Sequence, residues 1–184
     1  MGEIEDALER ADQEAFTREP PKTTQGRVNF LLKYLSAKEI GEEVGVTADS
    51  VNRYRRGTRK NPPKDVAAKI DAAVRSRWQP QVRKRRRKQA AVSTGITVET
   101  RAQFGYTAPV GTTDDGRFRR LTVHLPPAYA QRLFEARDQG ASDQQMRGII
   151  AEGFKEVYFQ DDGSRAMGLS DVAINNIDYL DLDF

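Results

Sequence analysis

The sequence predicts a mainly α-helical protein with a small α+β part, and three observations support this fold class. Apolar residues recur every three or four positions up to about residue 78, a spacing that is typical of amphipathic helices. Beyond residue 91, apolar and polar residues alternate in two runs, which is typical of strands. Six consecutive basic residues, Arg83 to Lys88, lie between the two regions.

The composition narrows the class of protein. Among 184 residues there is no cysteine and a single histidine, His124, so disulfides, cysteine-based zinc sites and histidine-rich metal sites are excluded. The acidic N-terminus lacks the apolar core of a signal peptide. No apolar run approaches the ~20 residues of a membrane helix. The sequence therefore predicts a cytoplasmic protein that does not contact membranes.

The net charge of +3 conceals a strong partition along the chain. Residues 1–21 carry a net charge of −5, residues 22–90 carry +13, and residues 161–184 carry −5. A basic region of this size favours nucleic acid as a partner. We therefore expect the protein to be associated with DNA in the nucleoid, with solvating or autoinhibitory acidic ends.

The predicted organisation follows these shifts in charge and periodicity. Proline residues separate the N-terminal helix from the helical domain that follows it. The basic run follows Pro80, and mutual repulsion of its charges predicts an unpacked linker. The acidic C-terminal segment has weak apolar spacing and is predicted to be flexible, or helical only on a partner. The predicted divisions are the N-terminal helix (1–21), the helical domain (22–78), the basic linker (79–90), the α+β domain (91–160) and the acidic C-terminal segment (161–184).

Residues 37–56 match the pattern of a helix-turn-helix. Gly41 is small where two helices would cross, and Gly45 stands where the turn needs a left-handed residue. Thr47 is expected to cap the second helix. The apolar positions of the motif are Ile40, Val44, Val46, Val51 and Tyr54.

Such a motif places its second helix in the major groove of DNA. Asparagine suits adenine and arginine suits guanine, because each makes two hydrogen bonds to that base. The predicted contacts to base edges are Thr47, Ala48, Asp49, Asn52 and Arg53. The predicted phosphate contacts are Arg55, Arg56, Arg59 and Lys60. The alternative is an ordinary helical hairpin with an incidental glycine.

The basic run is a less specific feature. Beside a helix-turn-helix it is predicted to contact phosphates, which raises affinity without selecting a sequence. A solvated linker, an import-like signal or a membrane contact would have the same composition. The residues concerned are Arg83, Lys84, Arg85, Arg86, Arg87 and Lys88.

The second half predicts a β-hairpin followed by two helices. In the strand "RRLTVHL", polar Arg120, Thr122 and His124 alternate with apolar residues, and the order of elements resembles a ribbon-helix-helix module. A dimerisation or docking domain with an amphipathic strand is the alternative. The upstream strand "ITVETRAQFGY" is an addition that the minimal module lacks.

The segment "GTTDDG", residues 111–116, lies between the two predicted strands. Asp–Gly closes hairpins and threonine is common beside it, so a turn explains these residues. Asp114 and Asp115 are adjacent and would face opposite ways in an extended stretch. No nucleophile–base pair or Gly-rich phosphate loop is present, so we expect no enzymatic activity and no cofactor of the protein's own.

The whole chain is similar to the telomere terminal proteins of Streptomyces-type linear chromosomes and plasmids. The segments that carry the resemblance are "AKEIGEEVGVTADSVNRYRRG", "RKRRRK" and "LPPAYAQRLFEARDQGASD". The resemblance implies covalent attachment to DNA 5′ ends through a threonine hydroxyl. It also implies a protein primer that a DNA polymerase extends, with the polymerase supplying the metal ions.

This resemblance makes Thr113 the first candidate for the priming hydroxyl, with Thr112 next and Thr107 third. Glycines on either side would allow a polymerase active site to close around the threonine. The implied partners are telomeric DNA, as duplex and as folded single-stranded 3′ overhang, a telomere-associated protein and a DNA polymerase, and we add a homodimer. The alternatives are a helix-turn-helix transcriptional regulator with a C-terminal dimerisation domain and a nucleoid-associated DNA-binding protein.

Overall fold

A computed structural model describes residues 2–107, 117–164 and 168–184 of the chain. Within these ranges the protein contains eight α-helices and a three-stranded antiparallel sheet, so its mixed helix and strand content agrees with the predicted class. The elements are α1 (Glu3–Glu14), α2 (Thr24–Leu31), α3 (Ala37–Val44), α4 (Ala48–Arg56), α5 (Lys64–Arg77), α6 (Pro80–Gln89), β1 (Ile96–Thr107), β2 (Arg117–Leu125), α7 (Pro127–Asp138), α8 (Asp143–Gly153) and β3 (Asp171–Asp183).

The chain divides into two compact units. Unit 1 comprises residues 1–15 and 81–184, and unit 2 comprises residues 16–80. The predicted helical domain therefore corresponds closely to unit 2. The predicted N-terminal helix, linker, α+β domain and tail belong together in unit 1.

Unit 2 contains α2 to α5 around one apolar core. Side-chain caps stabilise the N-termini of three of these helices. Thr23 accepts a hydrogen bond from the Gly26 N–H at α2, Ser36 and Glu39 form a reciprocal capping box at α3, and Thr47 accepts from the Ser50 N–H at α4. Trp78 packs against Phe30 at the edge of the core. The buried side chains are Val28, Leu31, Ile40, Val44, Val51, Tyr54, Val66, Ile70, Ala73 and Val74.

Unit 1 is a sheet in the order β2-β1-β3 with helices against one face. β1 pairs antiparallel with both neighbours, with Val98 opposite Val123 on one side and Leu182 on the other. The two predicted helices follow β2 as α7 and α8, and Ser142 caps α8. A π-helical turn, Phe154–Phe159, continues α8 and adds the buried ring of Phe154.

The predicted N-terminal helix packs into the core of unit 1. Ile4, Ala7 and Leu8 of α1 are buried in the same cluster as the inner side chains of the sheet. The helix has no cap of its own, and the Asp143 carboxylate of α8 accepts a hydrogen bond from the Ile4 N–H at 2.8 Å. Both contacts join residues that are far apart in the sequence.

The prediction of a flexible acidic tail is wrong for residues 171–183, which form β3. Val172, Ile174, Leu180 and Leu182 face the core, and aspartates occupy much of the exposed side. The strand is irregular: β3 passes from Tyr179 to Asn175 while β1 passes only from Arg101 to Gln103. This bulge interrupts the run of inward apolar residues, which explains why the sequence pattern was weak.

The prediction of an unpacked linker is also wrong, because residues 80–89 form α6. Arg83 and Arg87 lie one helical turn apart and both contact the buried carboxylate of Asp12 in α1. Charge repulsion within the run is therefore offset by pairing with a distant acid. None of the helices among the described residues is both long and apolar enough to cross a membrane.

Candidate nucleic-acid interface

The two helices α3 and α4 are joined by a turn in which two glycines have defined roles. Gly45 adopts φ 81° and ψ 38°, a left-handed conformation that glycine reaches without steric cost. A Cβ atom at Gly41 would lie 2.5 Å from the Val46 carbonyl oxygen, so the turn passes directly over the α3 backbone. Only glycine allows this close approach. The approach fixes the position of α4 relative to α3.

The inner and outer faces of α4 are clearly separated. Val51 and Tyr54 are each 1% exposed and pack into the core of unit 2. Helical periodicity places Asp49, Asn52, Arg53 and Arg56 on the opposite face. Three of them are exposed and Asn52 is partly exposed. This face presents one amide, two guanidinium groups and the carboxylate of Asp49 to solvent.

Local contacts organise the two ends of this face. Asp49 and Arg53 form an ion pair at 2.9 Å, one helical turn apart. Thr47 is occupied as the cap: it accepts a hydrogen bond from the Ser50 N–H and donates to the Ser50 hydroxyl. Ala48 is partly buried. Asn52, Arg53 and Arg56 are therefore better placed than Thr47 or Ala48 for contacts to a ligand.

The basic residues after α4 are exposed. Arg55, Lys60 and Arg59 all reach solvent, and the Arg59 guanidinium lies 5.6 Å from the centre of the Tyr54 ring. Gly57 ends α4 with φ 74°. Together with Arg56, these side chains form the positively charged flank that the sequence predicted for phosphate contacts.

The basic run of α6 is divided between two environments. Lys84, Arg85, Arg86 and Lys88 are exposed, as phosphate contacts require. The side chains of Arg83 and Arg87 are only 11% and 22% exposed and bind acids within unit 1. Four of the six predicted side chains are thus presented to solvent, and two are used inside the fold.

Those two arginines belong to a group of six charged side chains that we call the Asp12 cluster. Asp12 is fully buried and accepts hydrogen bonds from all three arginines of the group, with Arg83 and Arg137 each at 2.9–3.0 Å from Oδ2. Burial opposes ionisation of Asp12, but hydrogen bonds and charges from Arg87 and Arg83 outweigh it, and the pKa lies below its ordinary value of 3.8. The members are Glu5, Glu9, Asp12, Arg83, Arg87 and Arg137.

The face of the sheet opposite the helices carries the polar side chains of β2. Arg120, Thr122 and His124 are exposed, while the alternating Leu121, Val123 and Leu125 are buried. The Arg120 guanidinium and the Tyr179 hydroxyl donate hydrogen bonds to Glu99, at 2.6 and 3.0 Å. These bonds hold the pKa of the Glu99 carboxyl below its usual range. Arg120 is therefore already engaged within the sheet.

The candidate priming residues Thr112 and Thr113 lie outside the described residues. The segment that contains them connects β1 and β2. The pair of β1 and β2 residues nearest to it is Phe104 opposite Arg117. Thr107, the third candidate, is the last residue of β1 and pairs with Asp171. Among the residues that are described, no group of three or more histidine or acidic side chains is arranged to hold a metal ion.

Comparison with known proteins gave no match for this chain among family models, curated proteins or solved structures.

The structure also brings together residues that the sequence did not single out. Arg137 completes the Asp12 cluster from 125 positions away, a separation that no local pattern reveals. At the start of α2, Lys22 and Thr24 line a cleft with Tyr54 and Lys60. The Thr23 cap of α2 was the one local signal in the sequence for the start of the helix that lines this cleft.

Proposed function

We propose that the protein binds DNA through a helix-turn-helix formed by α3 and α4. One observation carries this proposal: Gly45 and Gly41 shape a tight turn that fixes α4, and α4 turns Asn52, Arg53 and Arg56 to solvent. Asparagine and arginine are the side chains that read adenine and guanine in the major groove. The exposed basic residues after α4 supply charge for the adjacent phosphates.

Replacing Arg53 by Ala is expected to weaken binding to the preferred duplex about 10- to 100-fold, and Asn52→Ala to do the same. Each loses a bidentate base contact, which contributes about 1–3 kcal/mol of discrimination. Binding to an unrelated duplex should change little. Fluorescence anisotropy with a duplex selected from a random pool, and with a scrambled duplex of equal length, measures both affinities.

Arg18→Ala is the matched control, because Arg18 is an exposed arginine of unit 2 outside α4. Its affinity for both duplexes should stay within about twofold of the parent. Equal loss on both duplexes in the Arg53 variant would mean that Arg53 contacts only phosphate. No loss in either variant would contradict the placement of α4 in the groove.

We extend the proposal to a terminal protein that primes replication of linear DNA ends. Its support is the resemblance of the chain to terminal proteins, together with the position of Thr112 and Thr113 between two paired strands. In this proposal the threonine Oγ attacks the α-phosphate of a first deoxynucleotide. A phosphodiester bond to the threonine forms, pyrophosphate leaves, and the hydroxyl proton passes to a group of the polymerase. Metal ions come from the polymerase, so the protein is a substrate of the reaction.

Thr113→Ala is expected to abolish nucleotide attachment while leaving DNA binding unchanged, because only the acceptor hydroxyl is removed. The measurement is mass spectrometry of protein recovered from DNA after detergent, high salt and nuclease. Cleavage after arginine releases residues 102–117, which contain all three candidate threonines. Thr112→Ala is the matched control, and it should retain the adduct.

Other outcomes assign the function differently. An adduct that persists in the Thr113 variant moves the site to Thr112 or Thr107. The absence of any adduct, with all protein removed by salt, would contradict priming and leave DNA binding as the function. A preference for palindromic duplexes would then favour a transcriptional regulator, and binding without sequence preference would favour a nucleoid protein.

Dimerisation bears on the same choice. β2 lies at an edge of the sheet, and its outer edge has no strand partner among the described residues. Two copies paired through β2 would form the ribbon of a ribbon-helix-helix dimer, with α7 and α8 following. Because β1 pairs with the inner edge of β2 and Arg120 already binds Glu99, we place sequence recognition in α4.

A further inference from the structure

The face of α4 that we propose for base reading carries an acid, Asp49, beside its arginines. Asp49 lies in the first turn of the helix, and Arg53 follows four positions later. Their side chains form an ion pair in which Nη2 of Arg53 lies 2.9 Å from Oδ2 of Asp49. Both side chains are more than half exposed, so the pair stands on the surface of the helix and is open to a ligand.

The charge of this acid works against general attraction to DNA. Phosphates attract cations without regard to sequence, and they repel a carboxylate. An exposed ion pair of this kind also contributes little to the stability of the fold. A carboxylate on a DNA-facing surface can instead raise selectivity, because it penalises the ligands that do not compensate for its charge.

The pair distinguishes Arg53 from the other basic residues of this region. Among the residues that the structure describes, Arg53 has an acidic partner, whereas no ion pair involves Arg55, Arg56 or Lys60. The charges of those three side chains are available to phosphates, which position the protein without selecting a sequence. The charge of Arg53 is balanced by Asp49, so Arg53 adds little to that general attraction.

The geometry of the pair leaves most of the Arg53 guanidinium available. The contact joins one nitrogen to one oxygen, so Nε and Nη1 lie outside it. A guanidinium has five N–H donors in one plane, and it can therefore bind a carboxylate and still donate two further hydrogen bonds. In the major groove, guanine presents two acceptors, N7 and O6, whereas adenine presents one acceptor beside a donor. An arginine held in one orientation thus matches guanine.

We infer that Asp49 is a positioning residue that makes Arg53 selective for guanine. Asp49 holds the guanidinium in one orientation, and the remaining N–H groups of Arg53 donate to N7 and O6 of a single guanine. The carboxylate also lowers the affinity of α4 for duplexes that lack this guanine. The inference rests on the proposed function, because it concerns a base pair that α4 contacts in the major groove.

The test measures the affinity of full-chain variants for a duplex selected from a random pool and for duplexes that differ from it at one base pair. The guanine that Arg53 contacts is the one whose replacement no longer matters in Arg53→Ala. Asp49→Asn should reduce the preference for this guanine about 10-fold, because the arginine is no longer held against the base. Its affinity for a scrambled duplex should rise about two- to fivefold, because one negative charge is removed.

Two further variants separate positioning from other effects. Glu42→Gln is the matched control, because Glu42 is an exposed acid of α3 that pairs with Lys38 four positions away. It should leave the guanine preference unchanged. In the Arg53→Ala background, Asp49→Asn should have no further effect on the guanine preference, because no guanidinium remains to be positioned. A merely structural role of Asp49 would weaken binding to all duplexes alike.

The outcomes distinguish this inference from the proposed function. If Arg53→Ala loses a guanine preference that Asp49→Asn keeps, the positioning role is overturned and DNA reading by α4 stands. The role is also overturned if Asp49→Asn weakens binding to every duplex equally, if its effect is the same with and without Arg53, or if no guanine depends on Arg53. If the parent prefers no duplex over a scrambled one, the inference and sequence reading by α4 are both overturned.

Discussion

Replacing Asp12 by Asn is expected to lower the free energy of unfolding of unit 1 by about 3–5 kcal/mol, because it removes one partner from a buried ion network. Asp12 is fully buried and receives hydrogen bonds from Arg83, Arg87 and Arg137. Asparagine keeps the shape of the side chain but leaves the three guanidinium groups with two of the three carboxylates of the Asp12 cluster. Urea unfolding followed by far-ultraviolet circular dichroism measures the change.

Unfolding of the two units can be followed separately, because the single tryptophan, Trp78, lies in unit 2. Tryptophan fluorescence therefore follows unit 2, and its transition should shift less in the Asp12→Asn variant than the transition seen by circular dichroism. Glu14→Gln is the matched control, since Glu14 is an exposed acid on the same helix. A loss no larger than that of the control would contradict the burial of Asp12.

The contribution of Asp12 also has a defined dependence on pH. Its pKa is lower in the folded protein than the ordinary value of 3.8, so the unfolded state binds the proton more readily. The stabilisation is then complete above that ordinary value and is lost as the pH falls through the folded pKa. The difference between the parent and Asp12→Asn should be largest at neutral pH and should narrow below about pH 4.

The second large effect is expected from Gly41→Ala, which should destabilise unit 2 by about 1–3 kcal/mol. The added Cβ would lie 2.5 Å from the Val46 carbonyl oxygen. This oxygen belongs to the backbone, so rotation of a side chain cannot relieve the contact. Tryptophan fluorescence during urea unfolding measures the loss. Binding of the preferred duplex should weaken as well, because displacement of the turn moves α4.

Gly148→Ala is the matched control for a helical glycine. A Cβ atom at Gly148 meets nothing within 4 Å, so alanine should stabilise α8 by about 0.5–1 kcal/mol. The two substitutions are chemically identical and should have opposite signs. A stabilising effect at Gly41 would show that the helices do not approach as closely as described.

The sequence predicted the elements whose determinants are local. The α3–α4 turn depends on Gly41, Gly45 and Thr47, which all lie within seven positions, and each has the predicted place in the structure. The hairpin and the two helices that follow it were also predicted, because alternation and helical periodicity are short-range patterns. Of the five residues predicted to contact bases, Asp49, Asn52 and Arg53 lie on the outward face of α4.

The failures have a common physical cause. α6 is held by acids of α1 that lie 71 to 75 positions away, and periodicity within residues 80–89 contains no information about them. β3 pairs with β1 across a bulge, and its aspartates were interpreted as a sign of disorder. Long-range pairing decided both.

The division of the chain has a consequence for how unit 1 assembles. Unit 2 interrupts unit 1 in the sequence, so α1 and α6 are separated by residues 16–80. The ends of that insertion are fastened together: the Thr17 N–H donates to the Gln79 side chain at 2.9 Å, and the Trp78 indole donates to the Arg18 carbonyl at 2.9 Å.

Once folded, the insertion acts as a short tether in place of a long loop. Loop-closure entropy grows with the logarithm of length, so closing a few residues in place of 65 saves about 2 kcal/mol. Folding of unit 2 therefore lowers the entropy cost of bringing α1 into contact with the arginines of the Asp12 cluster. During synthesis α1 must wait for most of the chain, because β3, which packs against it in unit 1, comes last.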